Sequence, residues 1–501
     1  MSRLFVGLDL GTSAVKVGLF DEAGQLLRLA RRGYRPYAPH PSWAEQEPAE
    51  WWKATRAALR EALTGIDASQ VEAVGLGGQT PGHVLVAASG RSLGRAIVWS
   101  DRRAVAESAW LAERITPQQA RAWTGYPFIT DETQPPARLL WLKTHRPDDW
   151  NRCAAVVQPK DFIAQQLTGR IATDLNSGFC LLHPETKSYH ADYLVLLGVG
   201  PEKMPPALSP TDVVGPVTPE AAALTGLPAG TPVVIGTIDA WCDVVGCGGV
   251  EPGCAVDVAG TSEVVALVTS RPVEGDGVYS SPLVEGLHWI GGPMQMGGAA
   301  LEWLARGFYG GEPDFGRMEA EASAVAPGAE GLLFLPYLRG ERAPVWDSAA
   351  RGAFVGLTDQ HTRAHCARAV YEGVAFAVRD VLERSLAAAS TRPTTLRVSG
   401  GGTRSAFWNQ IKADVTGLTV QQMAVSDAAC LGAAILAAVG TGAFDGLSGA
   451  AAAMAHPAAT FEPQAAHTDI YRALFSLWQG LYPALQPTFS RLSQMDRKAI
   501  S

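Results

Sequence analysis

Two stretches about half the chain apart read almost alike, and they constrain the fold more than any other feature. Residues 5–20, FVGLDLGTSAVKVGLF, and residues 253–268, GCAVDVAGTSEVVALV, each run strand, Asp, Gly-Thr-Ser, strand, the second with one residue more before its Gly. In the first copy Val6, Leu8 and Leu10 alternate before the turn and Val15, Val17 and Leu19 after it. That is the period-two pattern of half-buried strands. A plain hairpin wants Asn-Gly or Asp-Gly at its tip. These turns carry instead a carboxylate (Asp9, Asp257), hydroxyls (Thr12, Ser13, Thr261) and, in the first copy, the cation of Lys16. Glycine lets backbone come close to a ligand, and successive N–H groups form a nest for phosphate oxygens. Lys16 could reach a phosphate as a point charge. A carboxylate would repel phosphate, so Asp9 makes best sense beside Mg²⁺, directly or through water. A structural turn explains one such hairpin. Two copies favour a pair of similar domains that hold a polyphosphate from both sides. No G-x-x-x-x-G-K-[ST] occurs, so this is not a P-loop chain.

The length of 501 residues allows two large domains or three smaller ones. A net charge of −8 without a basic block argues against nucleic acid or an anionic membrane as partner. Phosphate must then be held by local dipoles, a metal ion or single basic residues. The seven cysteines contain no C-x-x-C pair and read as buried or half-buried residues of a reducing compartment. The N-terminus reads as a strand and not as a signal peptide. AACLGAAILAAVG (428–440) is too short to span a bilayer and reads as a closely packed buried helix. A cytoplasmic location is expected.

Two more glycine clusters lead from strands into helices, MQMGGAALEWL (294–304) and LRVSGGGTRSAFWNQIKADVTG (396–417), where backbone could pass against an adenine ring. Together these pieces resemble the FGGY family of carbohydrate kinases over about residues 4 to 445. GLDLGTSAVKVGLFDEAG resembles its first phosphate motif, TIDAWCDVVGCGGVEPG its catalytic segment, DVAGTSEVV its second phosphate motif and SGGGTRSAFWNQIKADVTG its adenosine motif. ARGAFVGLTDQHTRAHCARAVYEGVAF (350–376) is similar to its C-terminal signature. The resemblance implies an α/β fold of two ribonuclease H-like, actin-like ATPase domains with ATP and sugar in a cleft between them. Residues 1–248 would form the sugar-binding domain with the first phosphate hairpin, and 249–501 the nucleotide-binding domain. It implies ATP-dependent phosphorylation of a small sugar or polyol, with Mg²⁺, and is compatible with a homodimer. It assigns Asp239 as catalytic base, and Asp9 with Asp239 to the metal. Thr12, Ser13, Lys16, Gly260 and Thr261 fall to the phosphates, and Gly298, Gly401 and Gly402 to the nucleotide.

The acceptor loop departs from the family. GLGGQTPGHVLV (75–86) aligns with a sugar-binding loop that reads G-Q-M-H-G in xylulose kinases. The contacts implied are Gln79, Thr80, Pro81 and Asp239, but Pro81 stands where those enzymes have His, and Pro has neither a ring nitrogen nor a backbone N–H to offer. Ala240 follows the catalytic Asp where Asn or Gln is usual. Whether His83 or Trp241 replaces the missing contacts stays open, and D-xylulose is in doubt, because a lost hydroxyl partner weighs heavily in discrimination. A ketose or polyol of about four to six carbons is expected, with glycerol, a tetritol, ribulose or an aldonate as alternatives. A non-catalytic nucleotide-gated regulator is the remaining reading, although Asp9 and Asp239 are both present. Asp101, Arg102 and Lys160 either line the sugar site or form surface ion pairs. His361 and His365 lack the Glu of H-E-x-x-H and read as a helix start. Residues 205–233 read as irregular connections, and about 466 to 490 as one amphipathic helix.

Overall fold

The N-terminal hairpin forms from strands Leu4–Leu10 (β1) and Ala14–Asp21 (β2), in a register that sets Asp9 opposite Lys16. The structure, a computed structural model, describes residues 3–126, 131–311 and 314–500. Leu26–Gly33 (β3) continues the meander, and Val71–Gly78 (β4) adds in parallel on the other side of β1. Val213–Pro216 (β5) and Pro232–Ile238 (β6) complete a sheet of order β5-β6-β4-β1-β2-β3.

The alternation of β1 predicts one buried face, yet all seven of its residues are buried. Val6, Leu8 and Leu10 share a core with Trp51 and Ala58 of helix Pro48–Ala62 and with Ile163 and Leu167 of helix Pro159–Thr168. The alternate face is covered by helix Ala428–Gly440. Its backbone lies so near the sheet that a Cβ on Gly7 would stand 1.7 Å from the Cys430 carbonyl oxygen, and one on Gly75 1.9 Å from that of Ala433. The Ala- and Gly-rich composition of 428–440 answers to this approach. The chain accordingly divides into two units: residues up to Gly248 with Leu283–Glu285 and Ala428–Ala455, and Gly249–Pro282 with Gly286–Asp427 and His456 onward. Thus Ala428–Ala455, which a cut at residue 248 would assign to the C-terminal half, packs into the N-terminal unit.

The second unit is built on Ala255–Ala259 (β7), Glu263–Thr269 (β8), Tyr279–Pro282 (β9), His288–Met294 (β10), Thr395–Ser399 (β11), Thr419–Met423 (β12) and Pro457–Phe461 (β13), in the order β9-β10-β8-β7-β11-β12-β13. Helix Arg363–Ala389 runs through its core. Both units are therefore α/β, each a mixed sheet flanked by helices. Residues 205–233 are more regular than expected, with β5 and helix Pro219–Thr225, whose start is capped by the Thr218 side chain accepting from Ala221 N–H. The expected single C-terminal helix is two, Ala465–Gln479 and Leu481–Ile500, separated at Gly480. Five cysteines are buried and two half-buried, all as free thiols. Among the described residues no helix is long and apolar enough to cross a membrane.

Candidate active site

The β1–β2 register makes the first constellation. Lys16 Nζ lies 3.4 Å from Asp9 Oδ2, the carboxylate buried and the amine half-exposed. Thr12 and Ser13 are exposed at the tip. Thr12 is held from two sides: its carbonyl accepts from Gln46 Nε2 at 2.6 Å and its Oγ1 from the Trp99 indole N–H at 2.9 Å. The Tyr34 hydroxyl donates to the Gly11 carbonyl.

Asp239 follows directly on β6 and opens helix Asp239–Gly246, where the Ala240 N–H donates to its Oδ1 at 2.8 Å. Burial first, and then the Asp9 carboxylate, push its pKa up to about 7, while the Ala240 N–H and then Lys16 pull the other way. Asp9 and Lys16, from the first hairpin, thus both act on Asp239, from a separate motif. Burial and the Asp9 and Asp239 charges also keep the Tyr34 phenol protonated, its acidity weakened far beyond the usual. One helical turn beyond Asp239, Asp243 is pushed well up by burial and by Asp9, and accepts from the Ala429 N–H at the start of helix Ala428–Gly440.

The acceptor loop leaves β4 beside this hairpin. Gln79 N–H donates to the Leu10 carbonyl at 2.9 Å, and its Nε2 to Gln46 Oε1 at 2.8 Å, so Gln46 joins the loop to Thr12. Gln79 Oε1 is buried without a protein partner. Thr80 and Pro81 are half-buried. Buried Arg138 donates to the Pro81 carbonyl at 3.1 Å, and Gln158 Oε1 accepts from Gly82 N–H at 2.7 Å. His83, one of the two candidates for the missing sugar contact, is 2 % exposed and lines an internal cavity. Trp241 is half-buried.

Asp101 and Lys160 are neither surface nor exposed site residues. Both are fully buried: Asp101 accepts from Ala44 N–H and Arg103, and Lys160 lies 2.7 and 2.8 Å from Asp161 and Asp174. Arg102 is exposed, 4.0 Å from Glu132. His361 and His365 each accept a backbone N–H through Nδ1, from Thr358 and Thr362, at the start of helix Arg363–Ala389.

In the C-terminal unit the Gly260–Ser262 turn receives the start of helix Gly298–Phe308: Gly298 N–H donates to the Gly260 carbonyl at 2.8 Å and Ala299 N–H to that of Thr261 at 3.1 Å. A Cβ on Gly298 would stand 2.9 Å from the Gly260 oxygen. Beside them, Gly402 is pressed against the Trp408 ring and Ala259, whereas Gly401 is exposed with nothing within 4 Å. Asp257, placed in the second hairpin as Asp9 is in the first, is bonded to Lys412 Nζ at 2.5 Å. Lys412 also donates to Glu263, whose pKa burial and Asp257 push up to about 8.

The N-terminal domain model of the FGGY family of carbohydrate kinases matches residues 4–246, and its C-terminal domain model residues 255–441. The chain belongs to the FGGY family. It is 30% identical over 492 residues to a xylulose kinase of Staphylococcus epidermidis, covering 96% of this chain and 97% of that one. It is 31% identical over 510 residues to the L-xylulose/3-keto-L-gulonate kinase of Escherichia coli, covering 99% of each. Among solved structures, a xylulose kinase from Rhodospirillum rubrum superposes with a TM-score of 0.87 at 33% identity, over 97% of this chain and 100% of that one. A gluconate kinase from Lactobacillus acidophilus gives 0.89 at 26%, over 98% and 100%. This FGGY chain is thus xylulose-kinase-like, a phosphotransferase that uses ATP to phosphorylate a small sugar, and its two α/β units are consistent with actin-fold-like ATPase domains.

The residues of the FGGY site fit a divalent cation. Mg²⁺ in kinases is held by one or two carboxylates, with phosphate oxygens and water completing the shell. Asp9 and Asp239 supply two carboxylates, and the Asp9 charge raises the proton affinity of Asp239 against the pull of the Ala240 N–H and of Lys16. Among the described residues no larger cluster of His, Cys, Asp and Glu could hold a metal alone. Reading motifs missed Tyr34, Gln46, Arg138, Gln158 and Asp243. Asp243 carried a signal, since four residues on from Asp239 lies the same helix face. The others come from segments with no chemistry-bearing pattern.

Proposed function

We propose that this kinase transfers the γ-phosphoryl group of Mg-ATP to a hydroxyl of a small ketose or polyol, with Asp239 as general base. The observation that carries this is Asp239 itself, held at the end of β6 beside Asp9 and Lys16 with its pKa raised to about 7. Phosphoryl transfer asks for in-line positioning and charge neutralisation more than for covalent help. The Asp239 carboxylate takes the acceptor's hydroxyl proton as that oxygen bonds to the γ-phosphorus and ADP leaves. A base of this kind contributes about 10²- to 10⁴-fold. Gln79, Thr80 and Pro81 orient the acceptor. The N–H groups and hydroxyls of Thr12, Ser13, Gly260 and Thr261 and the Lys16 amine take the phosphates, and Gly298, Gly401 and Gly402 fall to the nucleotide, of which Gly401 has the open side. Mg²⁺ at Asp9 and Asp239 would neutralise developing charge on the phosphates.

The same strand order supports a ribonuclease H-like reading of both units: β3-β2-β1-β4-β6 in one and β10-β8-β7-β11-β12 in the other, three strands antiparallel and two added in parallel. Similarity to xylulose kinases and to an L-xylulose/3-keto-L-gulonate kinase favours a ketose. Pro81 and Ala240 make D-xylulose itself a poor fit, since neither side chain can hydrogen-bond a hydroxyl. Action as a cytoplasmic homodimer belongs to the same proposal.

The test is ADP release from Mg-ATP over a panel of ketoses, polyols and aldonates, with Asp239→Asn beside the wild type. Turnover on one acceptor that Asp239→Asn abolishes is the expected result. D-xylulose as best acceptor would overturn the reading of Pro81 and Ala240. ATP binding without acceptor-dependent ADP release would overturn the base assignment.

A further inference from the structure

Behind the acceptor loop lies an internal cavity of about 20 Å³, counted as room for the centre of a water-sized sphere. Its lining includes His83, Gln158, Thr173, Ser177 and Leu139, all buried. Some 10–15 Å³ is enough to hold one water, provided the site offers two to four polar partners. Three of the lining side chains carry polar atoms without a protein partner: both ring nitrogens of His83, at 2 % exposure, the Ser177 hydroxyl, at 0 %, and the Thr173 hydroxyl, at 2 %. A neutral imidazole carries one donor and one acceptor, and leaving both unmet in the interior is costly. Burial, and then the Arg138 charge, hold this imidazole neutral, so it keeps both roles.

We propose that an ordered water fills this cavity and bridges His83 to Ser177, making His83 a positioning residue that ties the acceptor loop to the strand carrying Asp239.

The bonds on either side of the cavity give the bridge its meaning. Towards the loop, Gln158 holds Gly82 and Arg138 holds Pro81, the neighbours of His83. Towards the base, Ser177 N–H donates to Asp174 Oδ1 at 3.2 Å, which also accepts from Thr237 Oγ1 at 2.9 Å. Asn176 Nδ2 donates to the same Thr237 hydroxyl at 3.0 Å, and Thr237 lies two residues before Asp239 on β6. Without the water this network stops at Ser177 on one side and His83 on the other. With it, the loop that orients the acceptor and the strand that presents the base form one hydrogen-bonded frame. His83 then acts through the loop, away from the sugar itself.

The inference rests on Gln79 to Pro81 being acceptor contacts, and the test separates the two. Steady-state kinetics would compare wild type, His83→Leu, His83→Gln, Ser177→Ala and Gln79→Ala on the best acceptor. His83→Leu and Ser177→Ala are expected to raise the acceptor KM about tenfold, leave the KM for ATP within twofold and lower kcat less than threefold. His83→Gln, which keeps a donor and an acceptor, is expected to recover most of the loss. Gln79→Ala raising the acceptor KM while His83→Leu and Ser177→Ala do not would overturn this inference and leave the site reading standing. Gln79→Ala without effect would overturn the site reading. A crystal structure of the wild-type protein decides the water independently of any variant's folding. Density bonded to both His83 and Ser177 is expected. An empty cavity, or a sugar hydroxyl on the His83 ring, would overturn the proposal.

Discussion

Two aspartates occupy matching places in the two hairpins and end in opposite situations. Asp9 faces a half-exposed Lys16 at 3.4 Å and raises the proton affinity of Asp239. Asp257 is enclosed with Lys412 and Glu263, all three side chains within 1 % of full burial. The first arrangement can exchange partners with a ligand, while the second is a sealed internal ion group. Their responses to pH and mutation should differ accordingly. For the base, kcat/KM should rise with pH at unit slope up to about 7 and level above it, because the protonated carboxyl cannot accept the acceptor's proton. Asp239→Asn should abolish that slope along with turnover. It should also stabilise the fold above neutrality. A carboxyl whose folded pKa is raised contributes stability below its unfolded pKa, and this is lost as pH climbs through about 7. The Asn variant's unfolding midpoint should therefore exceed the wild type's at pH 8 and match it near pH 4, measured by thermal melts of the two side by side. Lys412→Met, by contrast, strands two carboxylates in the core and should cost about 3–5 kcal/mol by urea denaturation. Asp9, Lys16 and Asp239 were legible because each sits in a motif. Lys412 also lies inside a motif but was not legible, since a lysine on an apolar helix face gives no sign of which buried acid it meets.

At the scale of elements, close approach of helix to sheet governs what can change. Gly7 and Gly75 admit the backbone of helix Ala428–Gly440, so a single added methyl would collide with a carbonyl oxygen. Gly75→Ala should force the helix off the sheet and destabilise the protein by about 1–3 kcal/mol or more. Gly401→Ala meets nothing within 4 Å and should leave the unfolding midpoint unchanged while weakening ATP binding, if its open side serves the nucleotide. Calorimetric melts with an ATP titration of both variants would check the contrast. The sequence showed that 428–440 packs closely, because only small residues tolerate such contact. It did not show against what, since the partners Gly7 and Gly75 lie hundreds of residues earlier and look like ordinary strand glycines. The same long-range helix is why β1, read as half-buried, is buried on both faces. His83 was legible as a candidate for the missing sugar contact, but its neighbours in sequence do not show what lies behind it.

At the scale of the whole molecule, the repeat in the sequence corresponds to a repeat in sheet order, but the chain does not divide where the repeat suggests. The N-terminal unit takes Ala428–Ala455 from between two segments of the other unit. Motif order could reveal two similar halves, because each hairpin carries its own signature. It could not reveal the exchange, because a helix of Ala and Gly carries none. The consequence can be tested with fragments. Residues 1–248 alone leave the Gly7 and Gly75 face of the sheet uncovered, an apolar surface of the kind that drives aggregation. That fragment should aggregate or bind a hydrophobic dye strongly. The same fragment joined through a flexible linker to residues 428–455 should be soluble, with slow amide exchange in β1 and β4. If residues 1–248 proved monomeric and equally protected by themselves, the helix would be an accessory to the sheet and not part of its core.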